Sequence, residues 1–281
     1  MTETDTLTHT PISITDEELN SLTQAILRRY GIDFTCYEPI SLKRRVIRAI
    51  NVLKLESVHN LWVKLLRDRD FIVPFIDEVA VGLTSMFRDP VLWRTLKEKI
   101  IRTIPKKNAL NIWHAGCSTG EEVYSMAIVL HEMGLLSSAQ AWATDMSEAS
   151  LKTAQQGVYH SLKIQEYGKN FEQYNNIGLF KRYYRPEGDH GKMNDSLVQH
   201  VNFKAHNLIT DPVEGNYDII FCRNVMIYFD QASKIKLLDE FYNHLNTGGL
   251  LIIGFYDALV PLIDKSKFHF LDLNAKVFQK I

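Results

Sequence analysis

From about Lys107 the chain alternates short apolar runs with segments that read as helices, and this alternation restricts its fold more than any other feature. "ALNIWHAG", "AQAWATD", "YDIIFCRN" and "GGLLIIGF" are the apolar runs; "EEVYSMAIVLHEMG", "SEASLKTAQQG" and "QASKIKLLDEFYNHL" follow the first three. Strands that are apolar throughout are buried on both faces, which predicts a parallel sheet wrapped by helices. The ending "FHFLDLNAKVFQKI" predicts a closing hairpin that turns near Asn274 and Ala275. Between Tyr159 and Asn207 the rhythm breaks: "FKRYYRP", "EGDHGK" and "LVQHVNFKAH" predict a small inserted antiparallel β subdomain at about 178–206.

Upstream, Ile14 to Gly82 reads as helix only. "DEELNSLTQAILRRYG" begins with acids and ends in Arg-Arg-Tyr-Gly, matching the helix dipole at both ends. "ISLKRRVIRAINVLKL" and "SVHNLWVKLLRD" repeat apolar residues at helical spacing, and Pro74 in "DFIVPFIDEVAVG" predicts a kink or a late start. The expected organisation is a disordered N-terminus at 1–13, an all-α N-terminal domain at 14–88 and an α/β sheet domain at 89–281. With 281 residues, 46% of them hydrophobic, the chain can bury a core without disulfides or metals. A net charge of −1 provides no global attraction to nucleic acid or anionic membrane, and no apolar run approaches the ~20 residues of a membrane span. Three widely spaced cysteines suit a reducing cytoplasm and carry no metal signal. Cys117 and Cys222 are expected at adjacent strand ends as small core residues.

The stretch "WHAGCSTGEEVYSMA" puts two glycines and two adjacent acids at a strand-to-helix turn. Its G-x-x-x-G spacing is not the dinucleotide fingerprint G-x-G-x-x-G, and no G-K-[ST] follows, so a P-loop is excluded. Turn geometry alone would explain the glycines. Asp145 ends the next strand, 25 residues after Gly120, where an acid can accept hydrogen bonds from ribose hydroxyls. "HNL" at 206–208 and "CRNVMIYF" mark further segment ends. Acids where a pyrophosphate would otherwise sit point to a positively charged nucleoside, and S-adenosylmethionine has a sulfonium, an ammonium, a ribose and no phosphate.

"LTSMFRDP", "GCSTGEEVYSMAI", "ATDMSEASLKTAQQGVY" and "IIFCRNVMIYFD", in this order, resemble the successive motifs of CheR-type chemotaxis receptor methyltransferases, over about Glu17 to Leu251. The resemblance implies a Rossmann-like S-adenosylmethionine-dependent methyltransferase domain that O-methylates glutamate side chains on the cytoplasmic domain of chemoreceptors. S-adenosylhomocysteine would be the second product. It implies that Glu122, Asp145, Asn207, Leu208, Arg223 and Asn224 contact the cofactor. Glu121 is a near-equal alternative to Glu122 on geometry alone. Thr84 and Arg88 match a segment lying over the active site, and Tyr228 matches an aromatic hydroxyl near the transferring methyl. Two departures stand out: Gly82 replaces an asparagine six residues before the arginine, and "GFYDAL" replaces "GHSE" after the fourth strand.

Taken singly, Arg88 also reads as a surface arginine at a helix start, and Tyr228 as a core tyrosine. Lys43, Arg44, Arg45 and Arg48 form either a solvated face or a basic helix that docks on an acidic receptor bundle. A monomer that inserts in no membrane and binds no nucleic acid is expected. The alternative function is a receptor scaffold that binds the cofactor without transfer. A nicotinamide or nucleotide-sugar enzyme is disfavoured by the glycine spacing and the acids.

Overall fold

The computed structural model describes residues 12–80, 82, 84–101, 104 and 109–281. Apart from Ile12 and Ser13, the N-terminus expected to be disordered lies outside the described residues. Two compact units divide between Val81 and Gly82.

Among its described residues the first unit has four helices: α1 (Asp16–Tyr30), α2 (Pro39–Val52), α3 (Val58–Arg67) and α4 (Ile72–Val79). Thr15 and Glu18 form a reciprocal capping box at the start of α1, and Gly31 ends it at φ 73°. Pro74 falls in the first turn of α4, where a backbone N–H would lack a helical partner anyway. The late start is therefore what the proline causes. On α2, Arg44 and Arg48 are exposed, but Arg45 is buried and donates to the Val79 carbonyl at 2.9 Å. A docking face made of all four basic residues is corrected accordingly: Arg45 holds α2 to the end of α4.

The second unit opens with α5 (Pro90–Thr95) and continues through β1 (Leu110–Ala115), α6 (Glu121–Glu132), β2 (Ala139–Asp145), α7 (Glu148–Gln156), β3 (Val158–His160) and α8 (Ser161–Tyr174). It ends with β4 (Tyr184–Glu187), β5 (His190–Met193), β6 (Val201–Ala205), β7 (Tyr217–Cys222), α9 (Gln231–His244), β8 (Leu245–Ile253), β9 (Phe268–Asp272) and β10 (Val277–Lys280). The main sheet runs β6-β2-β1-β7-β8-β10-β9. Its first five strands are parallel, and β10 pairs antiparallel with β8 and β9. The expected closing hairpin is present, with its second strand inserted beside β8. Strand order reverses between β1 and β7, which places the ligand crevice outside their carboxyl ends.

Three expectations need correction. The domain boundary lies at 81/82 instead of 88/89, because Met86 and Phe87 are fully buried in the sheet unit's core. Phe87 stacks on Tyr174 at 4.8 Å and donates its N–H to Ser125 Oγ at 2.8 Å. The subdomain at about 178–206 also has different limits. Val201–Ala205 is the edge strand of the main sheet, while β3 joins β5 and β4 in the small sheet. Finally, the excursion contains a 14-residue helix, α8, not anticipated from the sequence. Its buried stripe, Ile164, Tyr167, Phe171 and Tyr174, is mainly aromatic, and Gly168 inside it lowers helix propensity. Among the described residues no helix is long and apolar enough to cross a membrane.

Candidate functional site

The turns after β1, β2, β6, β7 and β8 all emerge at one edge of the sheet, and they carry most of the residues singled out from the sequence. The first turn is the tightest. Gly116 and Gly120 have φ 82° and 90°, and a Cβ at either would meet Val225 or Ala154 at 2.5 Å and 2.7 Å. Between them Ser118 adopts φ 49° and donates its N–H to Asp145 Oδ2 at 2.8 Å. The other oxygen of Asp145 accepts from Ser147 N at 3.0 Å. One carboxylate thus joins the turns after β1 and β2. Ser118 Oγ is buried without a hydrogen-bond partner.

The two adjacent acids, equivalent on sequence geometry, are placed very differently. Glu121 is fully buried and accepts from Thr119 Oγ1 at 2.6 Å and Tyr167 Oη at 2.7 Å, with Lys163 Nζ at 3.3 Å. It supports the turn from beneath. Glu122 keeps 15% side-chain exposure and lies 2.9 Å from His114 Nδ1 and 3.3 Å from an Arg223 guanidinium nitrogen. Burial pushes the Glu122 carboxyl up, but His114 and Arg223 outweigh it and hold the group below its ordinary value. Both acids sit in the first turn of α6, where the helix dipole favours negative charge.

Arg223 is the hub of the edge. Its side chain, 4% exposed, also pairs with Asp89 at 2.7 Å and approaches the Arg88 carbonyl at 3.4 Å. Arg88 itself is half-buried and lies between two non-glycine residues at positive φ, Phe87 at 54° and Asp89 at 56°. Such conformations cost about 1–3 kcal/mol each and persist only where surrounding contacts impose them. Here the buried Phe87 ring and the Asp89–Arg223 pair impose them. Thr84 lies half-buried on the same segment.

After β7, Asn224 takes φ 59° and donates its N–H to Asp257 Oδ2 at 2.9 Å. Tyr228, half-buried, closes the 3-10 turn that follows. After β6, the Asn207 side chain accepts from Ile209 N at 2.9 Å and its backbone N–H donates to Asp211 at 2.8 Å, which fixes the Leu208 turn. His206 N donates to the Asp145 carbonyl at 3.0 Å, so Asn207 and Leu208 lie one and two residues beyond a contact with the end of β2. Cys117 and Cys222 are both buried, and burial pushes their thiols well up, as befits core residues.

Sequence reasoning missed His114, Ser118, Asp89 and Asp257. His114 had a faint signal, a lone histidine in an otherwise apolar strand two residues before Gly116. The others act through partners distant in sequence and had none.

The donor set fits a cationic nucleoside. Two partly buried carboxylates, Asp145 and Glu122, lie at the strand ends, the second held below its ordinary value by its neighbours, and the N-terminus of α6 carries its own acids where a phosphate would need free N–H groups. Fold and site together define an S-adenosylmethionine-dependent methyltransferase domain, preceded by an all-α domain. The family models "CheR methyltransferase, SAM binding domain" and "CheR methyltransferase, all-alpha domain" match residues 82–277 and 17–80. The chain belongs to the CheR methyltransferase family. It is 32% identical to Cher3 of Pseudomonas putida over 95% of this chain and 97% of that protein. It is 30% identical to chemotaxis protein methyltransferase 1 of Vibrio cholerae, over 97% of this chain and 99% of that one. The chemotaxis protein methyltransferase of Listeria innocua is 30% identical, over 83% and 86% of the two chains.

Proposed function

We propose that this chain methylates glutamate side-chain carboxylates on the cytoplasmic domain of chemotaxis receptors, giving methyl esters, and that it works in the cytoplasm. The supporting observation is the charge pattern of the strand-end crevice. Glu122 and Asp145 suit a cationic donor, and Arg88 on the adjoining strained turn suits an anionic acceptor. Full-length relatives named chemotaxis protein methyltransferase point the same way.

In this reading Glu122, Asp145, Asn207 and Leu208 hold S-adenosylmethionine together with Thr84, Arg88, Arg223 and Asn224. When bound, the cofactor supplies a methyl group on a sulfonium. The protein has no proton to move, because a free glutamate titrates near ~4.3 and is already ionised at neutral pH. Its residues have to orient the acceptor carboxylate and exclude water, which would stabilise the separated charges. Arg88 takes one carboxylate oxygen in its planar fork, leaving the other to attack. A grip tighter in the ground state than in the transition state would slow transfer, so positioning is its role. Tyr228 lines the approach of the acceptor.

The test is radiolabelled methyl transfer to membranes with and without chemoreceptors, followed by mild base. Receptor-dependent, base-labile label supports the reading; base-stable label or none overturns it. The scaffold reading has one feature in its favour, Gly82 in place of a family asparagine. It predicts cofactor binding without label.

A further inference from the structure

A cavity of about 330 Å³ opens beside Arg223, between the start of α5, the end of β8 and the β9–β10 turn. Ile253 and Leu92 are buried in its lining, and Val91 and Phe255 stand at 59% and 56% exposure. Tyr256, next in the chain, is 70% exposed and meets the Phe255 ring edge-on at 5.3 Å. Phe255 and Tyr256 belong to the segment "GFYDAL", where the chain departs from the family pattern. The segment is anchored from below. Asp257 is fully buried, and its Oδ2 accepts from Gly254 N at 2.6 Å and Asn224 N at 2.9 Å. Such anchoring presents two aromatic rings to solvent on a fixed turn, and exposed apolar clusters of this kind mark interaction sites.

The charge of the cavity selects its occupant. Arg223 and Lys276 both line it, and Lys276 Nζ lies 5.3 Å from the Phe255 ring centre. The acid in the lining, Asp89, is paired with Arg223. The buried Arg223 Nε has no hydrogen-bond partner. With Arg223 already paired to Asp89 and Glu122, the charge left to face an occupant is that of Lys276, which disfavours a cationic cofactor and favours an acidic chain. Through Arg223 the cavity adjoins Glu122, so a segment seated in it lies next to the crevice.

We propose that this cavity is an acceptor subsite: it receives an apolar side chain from an acidic segment of the protein substrate, flanking the carboxylate to be methylated. The inference rests on the function proposed above and assigns substrate selection to Phe255, Val91 and Lys276.

The test compares wild type with Phe255→Ala and Lys276→Glu. It measures methylation kinetics on a chemoreceptor cytoplasmic fragment, equilibrium binding of that fragment, and cofactor binding by calorimetry. Loss of an aromatic anchor should raise KM and the fragment's Kd about tenfold or more, with cofactor affinity and thermal midpoint unchanged. Lys276→Glu should raise both by a factor that shrinks with added salt. Unchanged KM and Kd in both variants, with wild type active, overturn the subsite and leave the functional reading intact. An equal loss of cofactor affinity also overturns the subsite, because the residues would then belong to the cofactor site. A wild type that neither binds nor methylates the fragment overturns the functional reading and the subsite with it.

Discussion

Glu122 and Arg223, 101 residues apart in sequence, meet at 3.3 Å across the ends of β1 and β7. The pair joins the acid-bearing turn to the segment of Arg88 and Asp89, since the same guanidinium also holds Asp89 at 2.7 Å. A change at either residue is therefore expected to be felt on both sides of the crevice.

Glu122→Gln should lower stability at neutral pH by about 1–3 kcal/mol, because the buried Arg223 loses an anionic partner. The folded carboxyl titrates below its ordinary value, so its contribution is complete above the unfolded-chain value of about 4.3. It is lost as pH falls through the lower folded value. Denaturant melts from pH 7 down to pH 3 should show wild type and variant converging at the acid end. A constant gap across that range would show that the ionised form is not the stabilising one.

Asp145→Ala should weaken S-adenosylmethionine binding by about 1.5–3 kcal/mol, the worth of hydrogen bonds to a charged acceptor. It also releases Ser118 N and Ser147 N, so the turn after β1 should loosen. Calorimetry and amide exchange at Ser118 read the two effects separately. Unaltered affinity would remove Asp145 from the cofactor site.

Arg88→Ala should reduce the single-turnover rate by about a hundredfold at saturating cofactor and receptor, a much larger effect than on cofactor affinity. Arg88→Lys should rescue it poorly, since lysine keeps the charge and loses the planar fork. A wild-type rate in the alanine variant would return Arg88 to the role of a surface charge at a helix start.

Restoring the family asparagine at Gly82 should not strengthen cofactor binding. A Cβ at this position would collide with Ser118 Oγ, so a side chain here requires the hydroxyl of Ser118, the residue whose N–H Asp145 holds, to shift. Gly82→Ala is expected to weaken cofactor binding severalfold, and Gly82→Asn no less. Tighter binding by Gly82→Asn would show that the turn accommodates the side chain.

The α/β class, the parallel strands and the closing hairpin were legible because apolar runs and turn residues are local signals. The capping box of Thr15 and Glu18 and the glycine turn after β1 are likewise encoded within a few residues. Helix α8 was not legible, because its aromatic stripe acquires meaning only against Phe87 and Phe180. Nor was the membership of β6, since which sheet a strand joins depends on a pairing with β2 some sixty residues earlier.

The sequence by itself determined the order of elements, the acids at the first turn, and Asp145 at the end of the second strand, each a property of neighbouring residues. Only the tertiary structure separated Glu121 from Glu122. One helical step of about 100° turns the first beneath Tyr167 and the second toward His114 and Arg223. It likewise buried Arg45, moved residues 82–88 into the sheet unit, and made Asp257 the anchor of two strand ends. Each of these depends on contacts between residues far apart in sequence, and folding alone brings those residues together.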